Sequence, residues 1–364
     1  MRVAIDIRKY YDLGIGTYIQ NLVQQINAIG GVEFVYIVND EVQAKLKGEL
    51  PGEFVVNNAG KYSLKELFSI GRTVNSLSVD LFHSPHYTLP FFLHTPSVTT
   101  IHDIIHLRMR DYFTPFQRRY ARTIIGHACR ASDAVIVVSE FTKKDILSLI
   151  PMNGKKIYPI YEGVHPSLYE TVDNERIRQF KEKHNITRPF ILYTGSLKPH
   201  KNVQLLMKSF HTLRLSFDVE LVIAGERLDD YPQLKKLSSM LWIEEDCKNV
   251  GFLPMDELAT AYRAAAVVVL PSLYEGFGLS MLEGMASGVP VVGSNRTSIP
   301  EIVGDAGIVF DPHNYAELGR IIGKILTDTT YREGLIAKGL KRAHEFTWEQ
   351  CARKTIEVYK KVIQ

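Results

Sequence analysis

Cysteine is scarce and scattered. Cys129, Cys247 and Cys351 are the only three in 364 residues, and no two of them form a CxxC pair. That argues against structural zinc and for a reducing compartment. Long apolar runs are missing too. The longest, residues 264–270, has seven residues, far short of the ~20 that cross a bilayer. There is no low-complexity segment and no short tandem repeat, which excludes a solenoid. No Asp-x-Asp motif of the metal-bridging kind occurs; Asp229 and Asp230 stand side by side before Tyr231 and read as the entry to a helix. Net charge is slight, +3 at pH 7, whereas nucleic-acid readers are basic over much of their length. Residues 1–6 read as a first strand and not as a signal peptide. A soluble cytoplasmic protein that binds no nucleic acid is the expectation.

What is present fits a large globular chain. Hydrophobic residues make up 45% and charged residues 23%, so a sizeable core can form and wholesale disorder is excluded. At about 150 residues per domain the length implies two domains, although one large α/β barrel also fits. The charge is uneven: residues 1–168 carry a balance of +3 and the rest a balance of zero. Residues 101–130 alone hold six Arg against two Asp.

Strand-like runs alternate with helical stretches. Residues 3–7, 33–38, 79–83, 98–102, 134–139 and 156–161 are short and rich in β-branched or aromatic residues, with helical patterns at 17–28, 114–131 and 140–149. A second series has strands at 190–194, 220–224, 249–252, 266–270 and 290–293, with helices near 202–213, 231–241, 255–265 and 278–287. Near-continuous apolar strands alternating with helices predict parallel sheets covered on both faces. The fold class is therefore α/β. The expected division is residues 1–168, then 169–346, then a last helix 347–364 that returns to the first domain. Ligands of open α/β sheets bind outside the carboxyl ends of the strands, so function belongs in the loops that follow strands.

The most informative segment is Pro271-Ser272-Leu273-Tyr274-Glu275-Gly276-Phe277-Gly278-Leu279-Ser280-Met281-Leu282-Glu283-Gly284. It follows an apolar strand and opens a helix. Gly276 and Gly278 permit a tight turn and close backbone approach, leaving amide N–H groups at a helix N-terminus to receive an anion. Glu275 stands before that helix and Glu283 about two turns further on. Both carboxylates can then face one cleft at different depths. Read alone, the segment also admits a glycine-rich turn with two solvated glutamates.

Glu275-x7-Glu283 after a strand-Pro-Ser resembles the signature of the retaining glycosyltransferases of family four, with the GT-B architecture of two doubly wound Rossmann-like domains facing across a cleft. The neighbouring motifs agree in order. Tyr193-Thr194-Gly195-Ser196-Leu197-Lys198-Pro199-His200-Lys201-Asn202 is similar to the family's phosphate loop. Leu221-Val222-Ile223-Ala224-Gly225-Glu226, Val250-Gly251-Phe252-Leu253-Pro254, Gly288-Val289-Pro290-Val291-Val292 and Pro300-Glu301-Ile302-Val303 resemble the segments around it. Tyr161-Glu162-Gly163-Val164 resembles the interdomain segment, and Gly14-Ile15-Gly16 the Gly-rich loop of the first domain.

The resemblance implies roles for particular residues. Lys201 would meet the donor's diphosphate, together with the amides of Phe277, Gly278 and Leu279. Glu275 would hold a donor-sugar hydroxyl and Glu283 the ribose, with the base against the backbone near Phe252 and Leu253. Gly14 and Gly16 would lie near the donor phosphates and the acceptor, and His102, in Ile101-His102-Asp103, would contact the donor sugar. Glu275, Lys201 and His102 are thus the catalytic candidates. Many members carry Arg where Ser196 and His200 stand, so Lys198, Ser196 and His200 remain alternatives for the second phosphate contact. His83-Ser84-Pro85-His86 either shapes the acceptor pocket or is structural, and acceptor recognition is expected in variable loops at 60–75 and 84–113.

The activity so implied is transfer of a hexose, with mannose favoured, from a GDP- or UDP-sugar to a saccharide, lipid-linked, in cell-surface polysaccharide synthesis. No metal and no cofactor are expected. Two alternatives stay open: another GT-B enzyme, an epimerase or a phosphorylase, or a non-catalytic saccharide-binding subunit. Residues 108–130 carry Arg108, Arg110, Arg118, Arg119, Arg122 and Arg130 with Phe116, Tyr120, Ile124 and Ile125 interleaved. They read either as a peripheral contact with anionic lipid at the inner face of the plasma membrane or as a solvated helix face.

Overall fold

The computed structural model describes every residue except Lys47. The chain forms two compact units. One comprises Met1–Gly163 with Thr347–Gln364, the other Val164–Phe346.

The first unit is built on a seven-stranded sheet. Its strands are β1 (Arg2–Asp6), β2 (Glu33–Val38), β3 (Glu53–Val56), β4 (Leu81–Ser84), β5 (Ser97–Ile101), β6 (Ala134–Val137) and β7 (Ile157–Pro159). They are parallel and ordered β3-β2-β1-β4-β5-β6-β7. In β1, Ala4 pairs with Val35 on one side and Phe82 on the other. Successive side chains of a strand point to opposite faces, and here both faces are apolar. Val3 and Ile5 join a core with Tyr18, Leu22, Trp348 and Tyr359, whereas Ala4 joins Leu67, Ile70, Ile125 and Ile146. The helix Trp348–Ile363 enters the first of these cores beside Ile15–Ile29. Thr347 caps it by accepting a hydrogen bond from Gln350 N at 3.1 Å, which meets one of the helix's orphan donors.

Several elements of this unit depart from the sequence reading, which called neither helix Asp40–Leu46 nor the short helix Ile105–Arg108 within the expected loop 84–113. Residues 60–75, expected as a variable loop, contain the helix Leu64–Asn75, capped by Ser63. Its inward face includes Glu66 and Gly71 among Leu67, Ile70 and Val74, and that mixture hides the apolar period. Strand β3 is four residues long and only partly buried, so its apolar signal is weak.

The second unit repeats the plan with β8 (Phe190–Gly195), β9 (Glu220–Gly225), β10 (Cys247–Gly251), β11 (Val267–Leu270), β12 (Val291–Ser294) and β13 (Ile308–Phe310). The order is β10-β9-β8-β11-β12-β13, again parallel. The unit begins at Val164 and not at residue 169. Val164 N donates to Phe346 O at 3.1 Å, and Leu168 is buried at the end of the short turn Pro166–Leu168 that rests on helix Met255–Ala264. Residues 164–168 are therefore part of the second core.

In each sheet the strand order reverses once, between β1 and β4 and between β8 and β11. Such a switch point leaves a crevice at the strands' carboxyl ends. Among the described residues no helix is long and apolar enough to cross a membrane.

Candidate active site

The loop after β8 and the loop after β11 are stitched together at the second sheet's switch point. Asn202, left-handed at φ 56°, donates through Nδ2 to Pro271 O at 3.1 Å and Pro312 O at 2.8 Å. Asn tolerates this backbone region better than other non-glycine residues. Leu273 N donates to His200 O at 2.7 Å. These bonds bring Lys201 to Glu275: Lys201 Nζ donates to both carboxylate oxygens, at 2.7 and 2.9 Å. The side chains keep 21% and 11% of their surface in solvent, so the pair is accessible but well desolvated. Charge-assisted bonds of this kind are short and strong.

Glu275 is held on every side. Ser272 Oγ donates to its Oε1 at 2.6 Å. Its own N–H donates to Thr297 Oγ1 at 3.1 Å, and Ser298 Oγ bonds the carbonyls of Glu275 and Phe277 at 3.0 and 2.9 Å. Gly278, at φ 103°, turns the chain into helix Leu279–Ala286, and no side chain caps that helix. Its first amides therefore retain donor capacity at the positive end of the helix dipole.

Glu283 lies on this helix, where its Oε2 accepts a hydrogen bond from Tyr262 OH at 2.6 Å. Tyr262 is fully buried and also bonded to Thr194 Oγ1 at 2.7 Å, at the end of β8. Burial, and then the neighbouring Glu283 charge, push the Tyr262 phenol well above its ordinary range, so it remains a donor. In the phosphate-like loop Tyr193 OH donates to Ser196 O at 2.5 Å, and Glu226 accepts from Leu197 N at 2.7 Å. Lys198 is exposed and His200 half-buried. After β10, Leu253 is buried and Phe252 is 71% exposed.

The first unit places His102 just beyond β5. Its Nε2 faces Pro85 O at 3.0 Å and its Nδ1 faces Glu162 Oε1 at 3.4 Å. Tyr18 packs edge-on against the ring, with centroids 4.8 Å apart. The ring plane is thereby fixed. Gly14 caps helix Ile15–Ile29 without a side-chain bond. Gly16 has no room for another residue, because a Cβ there would stand 2.5 Å from Tyr10 O. His83 is structural: it is wholly buried, with Nδ1 bonded to Tyr359 OH at 2.6 Å and Nε2 to Thr100 Oγ1 at 2.9 Å. Among the described residues no three His, Cys, Asp or Glu side chains are grouped so as to hold a metal ion.

Sequence reasoning missed Asn202, Thr297, Ser298 and Tyr262, which act on the candidates rather than as candidates. Asn202 closes the segment that resembles the family's phosphate loop, and that place beside Lys201 was the local signal for it.

Two family models divide the chain between them. Residues 174–342 match that of the glycosyl transferases group 1, and residues 14–168 match that of Glycosyltransferase Family 4. The O-antigen chain mannosyltransferase B of Escherichia coli is 32% identical over 282 residues, spanning 77% of this chain and 74% of that protein. The chain belongs to glycosyltransferase family 4.

The fold of this glycosyltransferase agrees. Sucrose-phosphate synthase from Thermosynechococcus elongatus superposes with a TM-score of 0.82 at 18% identity, over 100% of this chain and 99% of that one. Anabaena Alr3699/HepE, solved in complex with UDP-glucose, gives 0.82 at 18% identity, over 99% of this chain and 100% of its own. The architecture is GT-B, with two Rossmann-like units.

Proposed function

We propose that this glycosyltransferase moves a hexose, with mannose favoured, from a nucleotide sugar to a saccharide acceptor, with retention at the anomeric carbon and without a metal. The Lys201–Glu275 pair at the second sheet's switch point carries this reading. Two of the three Lys201 N–H donors go to Glu275, leaving the third for a diphosphate oxygen. A lysine so placed screens the phosphates from the neighbouring carboxylate. Glu275, in turn, accepts a hydroxyl of the donor sugar.

In the proposed step the bond from the anomeric carbon to the diphosphate oxygen breaks. A bond from the acceptor oxygen to that carbon forms on the same face. The acceptor's proton passes to the departing diphosphate. Negative charge grows on the leaving oxygen, where Lys201 and the uncapped amides of helix Leu279–Ala286 would stabilise it most. Glu283 would take the ribose hydroxyls, with its orientation set by Tyr262. The base would lie along the backbone at Leu253, and Ser196 with Lys198 or His200 would supply the second phosphate contact. Gly14 and Gly16 would allow close approach to the phosphates, and His102 would meet the donor sugar.

The mannosyl preference, and the place in polysaccharide synthesis, rest on likeness to the O-antigen chain mannosyltransferase. A lipid-linked acceptor, and contact with an anionic membrane from the cytoplasmic side, draw support from the first unit's surface. Helix Pro115–Ala131 exposes Phe116, Arg119 and Arg122. Phe68 and Phe92 are also exposed, their rings 6.1 Å apart, in a groove that Arg72 helps to line. Arg108 does not share in this surface charge, since Asp145 and Ser148 engage it.

Thermal-shift screening against GDP, UDP, ADP and their common sugars tests the reading. The true nucleotide raises the melting temperature by an amount set by its concentration over its affinity. Incubation with that sugar nucleotide and a mannoside acceptor then yields an α-linked product in chelator as well as without it. No stabilisation by any nucleotide would refute the proposal.

A further inference from the structure

Lys9 and His86 are two buried polar side chains whose bonding capacity the fold uses only in part. Lys9 stands just after β1 and His86 just after β4, at the switch point of the first sheet. Lys9 is 3% exposed, and its ammonium makes no side-chain hydrogen bond among the described residues beyond the ion pair with Glu66 Oε1 at 3.5 Å. His86 is 6% exposed, and its Nδ1 has no partner. A buried polar atom without a partner is rare in native proteins and calls for an explanation.

The ring of Tyr62 covers both. Lys9 Nζ lies 4.7 Å from its centroid, and the His86 ring meets it edge-on at 5.3 Å. Tyr62 adopts φ 62°, a conformation that a bulky residue rarely takes. It is held there by Tyr62 N donating to Glu66 Oε2 at 2.6 Å and by Tyr120 OH donating to Tyr62 O at 2.9 Å. Tyr62 is 43% exposed. The structure thus keeps an aromatic face, an ammonium and an imidazole together at the mouth of the first sheet.

We propose that Lys9, His86 and Tyr62 form a subsite for an uncharged sugar ring of the acceptor. The inference rests on the transferase reading above and adds to it the acceptor's chemical class and the side chains that take it. A sugar offers an apolar C–H face for the Tyr62 ring and hydroxyls that both donate and accept. Lys9 supplies donors, and the imidazole of His86 supplies one donor and one acceptor. Burial, followed by the nearby Lys9 charge, holds His86 well below its ordinary range and therefore neutral. The local charge decides against an anionic ligand. Arg8 donates to Asp6 at 2.6 Å and Glu66 at 2.5 Å, so the two carboxylates balance Arg8 and Lys9.

The test is saturation-transfer NMR on the full chain with methyl glycosides of mannose, glucose, galactose and N-acetylglucosamine, and with glucuronate as the charged counterpart. At least one neutral glycoside should receive saturation. Lys9→Met and Tyr62→Asn should each weaken that signal about tenfold. Asn accepts the left-handed backbone at position 62, so Tyr62→Asn keeps the test decisive even if Lys9→Met unfolds the chain. Binding of the nucleotide identified by thermal shift should change less than twofold, which separates loss of this subsite from loss of the fold or of the donor site. The proposal is overturned if no neutral glycoside binds, if binding survives both substitutions, or if only glucuronate binds.

Discussion

At the switch point of the second sheet a lysine and a glutamate meet near the surface, and every bond around them fixes the loops that present them. At the corresponding place in the first sheet the charges are sealed in. Arg8 is 1% exposed and bonded to Asp6, Glu66 and the carbonyl of Ala59. The strand order about the switch is the same in both, so topology alone does not decide what a crevice holds. The difference lies in how exposed the charges are and in whether carboxylates balance all of them. In the second unit Lys201 keeps one N–H donor in reserve, which suits a diphosphate. In the first unit the buried charges balance, which suits a neutral partner.

The largest expected effect comes from removing the second unit's charge. Lys201→Ala and Glu275→Ala should each lower the transfer rate by roughly 100- to 1,000-fold, measured as sugar incorporated into acceptor, with circular dichroism unchanged. Equal loss from an exposed lysine with no assigned contact, such as Lys236→Ala, would erase the distinction drawn for Lys201.

Next is the stitch between the loops. Asn202→Ala leaves the carbonyls of Pro271 and Pro312 without this donor and puts a left-handed backbone on alanine. A loss of about 1–3 kcal/mol in urea unfolding is expected, with weaker nucleotide binding. Full stability in the variant would show that the loops are fixed by something else.

The first unit should reveal its buried character through pH. Burial lowers His83 from its ordinary 6.5 to about 3. Below about pH 6.5 the unfolded chain therefore takes up a proton that the native His83 refuses, and stability falls by up to about 1.4 kcal/mol per pH unit as pH drops towards 3. His83→Gln should flatten that slope between pH 6.5 and 4.5 even if it lowers stability at neutral pH. An unchanged slope would contradict the burial argument.

The smallest effect concerns the surface. Arg119→Glu with Arg122→Glu should reduce cosedimentation with phosphatidylglycerol vesicles several-fold at low salt, at about 1 kcal/mol per charge near the surface. Transfer to a soluble acceptor should stay the same. Binding that ignores both substitutions and salt would assign the arginines to a solvated helix face.

The sequence made the parallel α/β plan legible because buried parallel strands read as apolar runs, as in residues 267–270 and 134–137. It was less informative where apolar and polar residues share one face. Helix Leu64–Asn75 turns Glu66 inward to meet Arg8, and no periodicity announces a buried ion pair. At the candidate site the named motifs supplied Lys201, Glu275 and Glu283. The residues that aim them were not readable, because Asn202, Thr297 and Tyr262 act through bonds spanning 69, 22 and 21 positions of chain. Lys9 was overlooked for the same reason. Its meaning depends on His86 and Tyr62, which only the folded sheet brings to it.

The most direct test of the central claim is calorimetric titration of GDP and UDP into the native chain and into Lys201→Ala. The account predicts that one nucleoside diphosphate binds the native protein and that the substitution weakens it by about 10- to 100-fold, the loss of one charge-assisted contact. Equal affinity in the two proteins would contradict it.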